Sequence, residues 1–147
     1  MLPAFRANGD LPSGVHPATL HETLGWFGVG SVQRVAVAQR LRRTHALAAS
    51  TGYLARFIVF GSFVTAKREP NDVDLFLLMD DAFDVTRVTG EPRLLFDHAA
   101  AQAHFGASVF WIRRLAALGG EQATVEHWQI RRDGGLRGVV EIVPEAP

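Results

Sequence analysis

The run VFGSFVTAKREPNDVDL, Val59–Leu75, decides how this chain folds. Its first two residues close an apolar, β-branched stretch of strand length, Leu54 to Phe60 (LARFIVF), and its last four open another, Asp72 to Met79 (DVDLFLLM). Between them stand Gly61-Ser62 and a polar passage that closes on the turn signal Glu69-Pro70-Asn71. The expectation is two consecutive strands joined through a glycine turn. Side chains alternate across a pleat, so Asp72 and Asp74 are expected on one face of the second strand. Their stems would then stand about 6.6 Å apart, close enough for their oxygens to converge on one hard divalent cation or a close metal pair.

Working outward, Pro17 to Phe27 reads as a short helix start, with Thr19 as cap and Glu22 three residues later. Gly28 and Gly30 end it, and Ser31 caps a longer helix from Val32 to about Ser50. In that helix Val35, Val37, Leu41, Leu47 and Ala48 form the apolar stripe, and Arg34, Arg40, Arg42 and Arg43 a basic outer face. A helix-like stretch around Arg93 to His104 precedes a third strand, Ala107 to Ile112, and Leu115 to Thr124 reads as loop plus short helix. At the end, Glu126 to Arg131 and Leu136 to Val143 flank Arg132-Asp133-Gly134-Gly135, which predicts a C-terminal β-hairpin. The fold class expected is α/β (α+β), a mixed sheet with helices packed mainly on one side. Residues 1–16, with Pro3, Gly9, Pro12 and Gly14, read as an extended N-terminal arm ahead of a single domain over 17–147.

Composition narrows the function. Fifteen basic residues balance fifteen acidic ones, so no global field holds a nucleic-acid backbone. The absence of cysteine excludes disulfides and thiolate metal sites and fits a cytoplasmic setting. No apolar run approaches a membrane span, and the start MLPAFRANGDLPSG carries no apolar signal core, so no membrane partner is expected. His16 and His21 are five apart, which does not place two imidazoles on one helical face for zinc. Gly28-Val29-Gly30 precedes a helix without a strand before it and is no dinucleotide fingerprint. Trp26, Trp111 and Trp128 read as core or rim packing.

Over Val59 to Leu75 the chain resembles the nucleotidyltransferase superfamily, the polymerase-beta-like fold, and especially its minimal single-domain bacterial members. The shared features are a hydrophobic strand, Gly-Ser at a turn opening a short helix, and an acidic-hydrophobic-acidic triplet on the next strand. The HPATL opening, the GSFVTAK segment and the RRDGGLRGVVEI end are similar to a group of small bacterial proteins of that superfamily. The resemblance implies that Gly61 and Ser62 hold the phosphates of an NTP, with Lys67 assisting, while Asp72 and Asp74 bind Mg²⁺ or Mn²⁺. It implies transfer of an NMP group to a hydroxyl of RNA (tRNA included), protein or a small molecule. Minimal members often resemble halves of toxin–antitoxin pairs, so a protein partner is a second expectation.

One departure bears on catalysis. The superfamily places a third carboxylate at the start of a later strand, where this chain has Ser108. Glu141, acidic between apolar neighbours in Val139–Val143, is the candidate substitute in the catalytic set. Asp80 lies about 20 Å along an extended strand from Asp74 and cannot share its ion. The alternative expectation is therefore a catalytically degenerate member of the fold that binds a nucleotide or partner without turnover. A third, an RNA-binding module, rests on the helix arginines alone.

Overall fold

The computed structural model describes residues 2–145. Strand β1 (Val15–Thr19) leads directly into helix α1 (Leu20–Phe27), and a reciprocal cap makes the junction sharp. The Thr19 hydroxyl accepts from the Glu22 backbone N–H at 3.0 Å, and the Glu22 carboxylate accepts from the Thr19 N–H at 3.1 Å. Helix α2 (Val32–Ser50) starts on the Ser31 hydroxyl, and strand β2 (Leu54–Phe60) follows. A single 3₁₀ turn, Ser62–Val64, separates β2 from strand β3 (Val73–Met79). The stretch expected as one helix around Arg93 splits into a 3₁₀ segment, Glu91–Phe96, and helix α3 (His98–Phe105). The split falls at Asp97, whose carboxylate caps α3 through the Ala100 N–H at 2.9 Å. Strand β4 (Ala107–Arg113), helix α4 (Glu121–His127) and strand β5 (Val139–Val143) complete the chain.

The five strands form one mixed sheet in the order β1-β5-β2-β3-β4. The outer pairs β1/β5 and β3/β4 are parallel, and β2 is antiparallel to both of its neighbours. Alternation along β3 sorts the two faces. Val73, Leu75, Leu77 and Met79 point into the main core, where Phe27, Val37, Leu41, Ala101 and Phe105 of α1, α2 and α3 cover them. Phe76 and Leu78 point the other way, into a smaller cluster with Ile58, Val139 and Val125 of α4. Three helices on one face and one short helix on the other match the expected α/β class with helices mainly on one side.

Three expectations are corrected. The second strand begins at Val73, with Asp72 in the bend before it. The C-terminal hairpin reduces to its turn: Arg131 N–H donates to the Gly135 carbonyl at 2.8 Å, and Ile130 and Leu136 make an isolated antiparallel bridge. The intended first arm is mostly α4, because Val125 and Trp128, three apart, bury one helical edge on the sheet. The second arm, as β5, gains two strand neighbours inside the sheet. Finally, Arg34 is not on an outer basic face. It is buried, in register with Val37, Leu41, Thr44 and Ala48, whereas Val35 of the expected stripe is exposed. Residues 2–16 of the lead-in pack on the domain through buried Leu2 and Leu11; its last two residues, and Pro17 to Thr19 of the expected helix start, belong to β1.

Candidate functional site

Gly61 makes the turn that brings the site together. Its φ of 78° lies in the left-handed region, and a Cβ there would stand 2.0 Å from Asp74 Oδ2. Only glycine lets the backbone pass so close to this carboxylate. The loop that follows is held from beneath by Arg34, whose guanidinium donates to the carbonyls of Phe27 (3.0 Å), Phe63 (2.8 Å), Thr65 (2.5 Å) and Lys67. A buried cation answered by carbonyl dipoles and by the Phe63 ring, whose centroid lies 5.6 Å from Arg34 Cζ, fixes the path of Ser62 through Lys67. Sequence reasoning missed this residue, although its place in the buried i, i+3, i+7 stripe was a legible signal.

Asp74 projects from β3 onto the α4 face of the sheet, paired in register with Phe60 on one side and Ser108 on the other. Burial, and after it the charge of nearby Asp72, push its pKa up to about 6; Ser108, Arg137 and Arg132 oppose the rise. Among the described residues, no Lys, Arg or His lies within ion-pair distance of either carboxylate. The Ser108 hydroxyl has one proton for several acceptors: Gln102 Oε1 at 2.9 Å, Asp72 Oδ2 at 3.3 Å, and the Asp74 carboxylate. Ser108 thus occupies the place beside both acids that the sequence suggested for it.

Glu141 does not join them. It sits across β2 from β3, level with Phe76, about 10 Å across the sheet and about 7 Å along it from Asp74. Its carboxylate is gripped by Arg56, with Nε donating at 2.9 Å and Nη2 at 2.6 Å. This bidentate pair leaves Glu141 with a structural partner of its own and raises the Arg56 pKa.

Two hollows meet at Arg137. One, of about 330 Å³, is lined by Gly61, Asp74, Ser108, Phe110, Trp128 and Arg137, among others. The other, of about 370 Å³, collects Ser62, Thr65, Lys67 and Arg137 beside the Asn8–Asp10 turn. Larger hollows of about 410 and 480 Å³ lie elsewhere, and neither Asp72 nor Asp74 lines them. Arg131 is committed to Asp10 and Asp133, each at 2.8 Å, whereas Arg132 and Arg137 have no carboxylate at ion-pair distance among the described residues. Arg137 is a candidate that the sequence reading did not single out.

The donor set suits a hard cation only with help. Among the described residues no three His, Asp or Glu side chains gather around a point that could hold an ion. Two close, uncompensated carboxylates with a hydroxyl beside them fit Mg²⁺ or Mn²⁺ shared with substrate phosphates, because such ions commonly take one or two protein carboxylates and complete their shell with phosphate and water. Among the described residues, no helix is long and apolar enough to cross a membrane.

A family model described as a family of unknown function (DUF6932) matches residues 3–143, almost the whole chain. No curated protein and no solved structure matches it.

Proposed function

The chain belongs to that family of unknown function, so its chemistry has to be read from its own site, and we propose that it is a metal-dependent nucleotidyltransferase. The reaction transfers an NMP group from an NTP to a hydroxyl of RNA, protein or a small molecule. The observation that carries this reading is the neighbouring pair Asp72 and Asp74, with no cation within ion-pair distance among the described residues and with Asp74 packed against the backbone of Gly61. Two like charges held together cost stability, and a divalent ion with a nucleotide's phosphates relieves that cost.

The chain's own residues divide the work. Asp72 and Asp74 provide the carboxylate oxygens, and Ser108 holds a proton towards them. Gly61 opens the backbone for the phosphates, Ser62 offers its hydroxyl and amide, and Lys67 and Arg137 supply positive charge around the same hollow. Mg²⁺ or Mn²⁺, when bound, polarises the phosphoryl oxygens and offsets the charge that develops. The acceptor hydroxyl oxygen attacks the α-phosphorus and releases its proton to solvent, the bond to the β-phosphate bridge oxygen breaks, and pyrophosphate leaves.

The test is incubation of the purified protein with labelled NTPs, Mg²⁺ or Mn²⁺ and cell extract. Label transferred to a macromolecule or small acceptor by the wild type, and lost in Asp74→Asn, is expected. Absence of transfer together with absence of metal–NTP binding contradicts the proposal.

Ser108 favours a second reading, a degenerate member of the fold that holds a nucleotide or a protein partner without turnover. It lies in register with Asp74 where a third carboxylate would complete the site, and Glu141 does not fill that role. Ser108→Asp separates the two. A large gain of transfer supports degeneration, whereas robust wild-type transfer that Asp74→Asn abolishes refutes it. Cytoplasmic residence and a toxin–antitoxin setting belong to the same proposal.

A further inference from the structure

Around Asp74 the α4 face of the sheet is aromatic. Phe60, Phe110 and Trp128 lie with ring centroids 4.6 to 6.2 Å apart and planes inclined by 32° to 41°. Phe76 backs Trp128 at 5.1 Å, and the His98 ring lies 5.0 Å from Phe110. Phe76 is buried, but Phe110, on the edge strand, remains 40% exposed. Phe110 stands two residues beyond Ser108 on the same face, a step of about 6.6 Å along β4, a gap that a ribose can span. The same hollow holds Asp74 and runs to Arg137, beyond which lie Ser62 and Lys67.

We propose that the shelf of Phe110 and Trp128 seats the base of a nucleoside triphosphate, whose phosphate tail passes Asp74 and Gly61 and lies along Arg137 towards Ser62 and Lys67. The inference rests on the nucleotidyl-transfer reading and adds to it an orientation and a part for each end of the ligand. Charge complementarity selects the occupant: Arg137, at the wall the two hollows share, and Lys67 beyond it are in no ion pair among the described residues, while Asp10 beside them is already paired with Arg131. Stacking on Phe110 is tolerant of base identity, because every base has a π face. Arg137, at the common wall of the two hollows, is a phosphate-binding residue in this arrangement.

The test compares Mg²⁺–ATP with Mg²⁺–tripolyphosphate by calorimetry on the wild type, Phe110→Ala, Phe110→Trp and Arg137→Ala, with far-UV circular dichroism confirming the fold. Tripolyphosphate carries the tail without the base. The wild type is expected to bind ATP about tenfold or more tightly than tripolyphosphate, Phe110→Ala to lose that preference, and Phe110→Trp to keep it. Arg137→Ala is expected to weaken both ligands to a similar degree. Equal wild-type affinity for the two ligands, or unchanged ATP binding in Phe110→Ala, overturns the base seat and leaves the transfer reading standing. Binding of neither ligand overturns both.

Discussion

Two acidic positions share the α4 face of the sheet and have opposite surroundings. Glu141 faces a guanidinium that donates twice to its carboxylate, and the side chains of the pair are only 17% and 19% exposed. Asp72 and Asp74 lie near each other and share a serine, with no cation at ion-pair distance among the described residues. The first arrangement is complete in the folded chain. The second carries a cost, the raised pKa of Asp74 beside the Gly61 turn, and that cost is what the proposed metal and nucleotide would relieve. Acidic residues of similar sequence appearance thus separate into one with a guanidinium partner and two with no cation at ion-pair distance among the described residues.

The sharpest way to break this contrast is to neutralise each member. Asp74→Asn is expected to reduce nucleotidyl transfer by about a thousandfold, since the metal-held charge is worth several kcal/mol in the transition state. The same change should raise stability, because a carboxylate whose pKa is lifted to about 6 on folding opposes folding when ionised. Lower stability in Asp74→Asn, measured by urea unfolding at neutral pH, would contradict the account.

Gly61→Ala probes the contact between the two halves of the site. With φ at 78° and a Cβ due 2.0 Å from Asp74 Oδ2, the side chain or the turn must move. A loss of transfer of about a hundredfold is expected, with destabilisation of about 2 kcal/mol. Glu141→Gln, in contrast, should cost about 2 kcal/mol of stability, between the values for exposed and buried pairs, and leave transfer within about twofold. If Glu141→Gln instead removed transfer with the fold intact, it would be catalytic after all.

The smallest expected effect is a pH dependence. Asp74 has a folded pKa above its unfolded one, so its ionisation cost is fully present above about pH 6 and fades as pH falls towards 4. Between pH 7.5 and pH 5 this group should add about 1 kcal/mol of stability in the wild type and nothing in Asp74→Asn. Urea midpoints at the two pH values measure the difference.

Much of this was legible in the chain itself. Thr19 with Glu22, Ser31, and the Gly61-Ser62 turn act through contacts within a few residues, so the boundaries of α1, α2 and β2 could be read locally. The misread parts depend on distant partners. Glu126 to Arg131 reads as a strand arm by local pattern, and it is packing against Phe76 and Phe60 on the sheet that sets Val125 and Trp128 on a helical edge. Arg34 looked like part of a solvated face because the carbonyls it serves, at Phe63, Thr65 and Lys67, lie some thirty residues away. Glu141 looked available for catalysis because Arg56 is 85 residues distant. The acid pair was visible from its spacing, but the lack of a cation beside it was a property of the folded chain alone.

The most direct test is an electron paramagnetic resonance titration of Mn²⁺ in the presence of an NTP, on the wild type and Asp74→Asn at pH 7.5. The account predicts a protein-bound Mn²⁺–nucleotide signal in the wild type that Asp74→Asn lacks. An equal signal in both proteins, or none in the wild type, would contradict it.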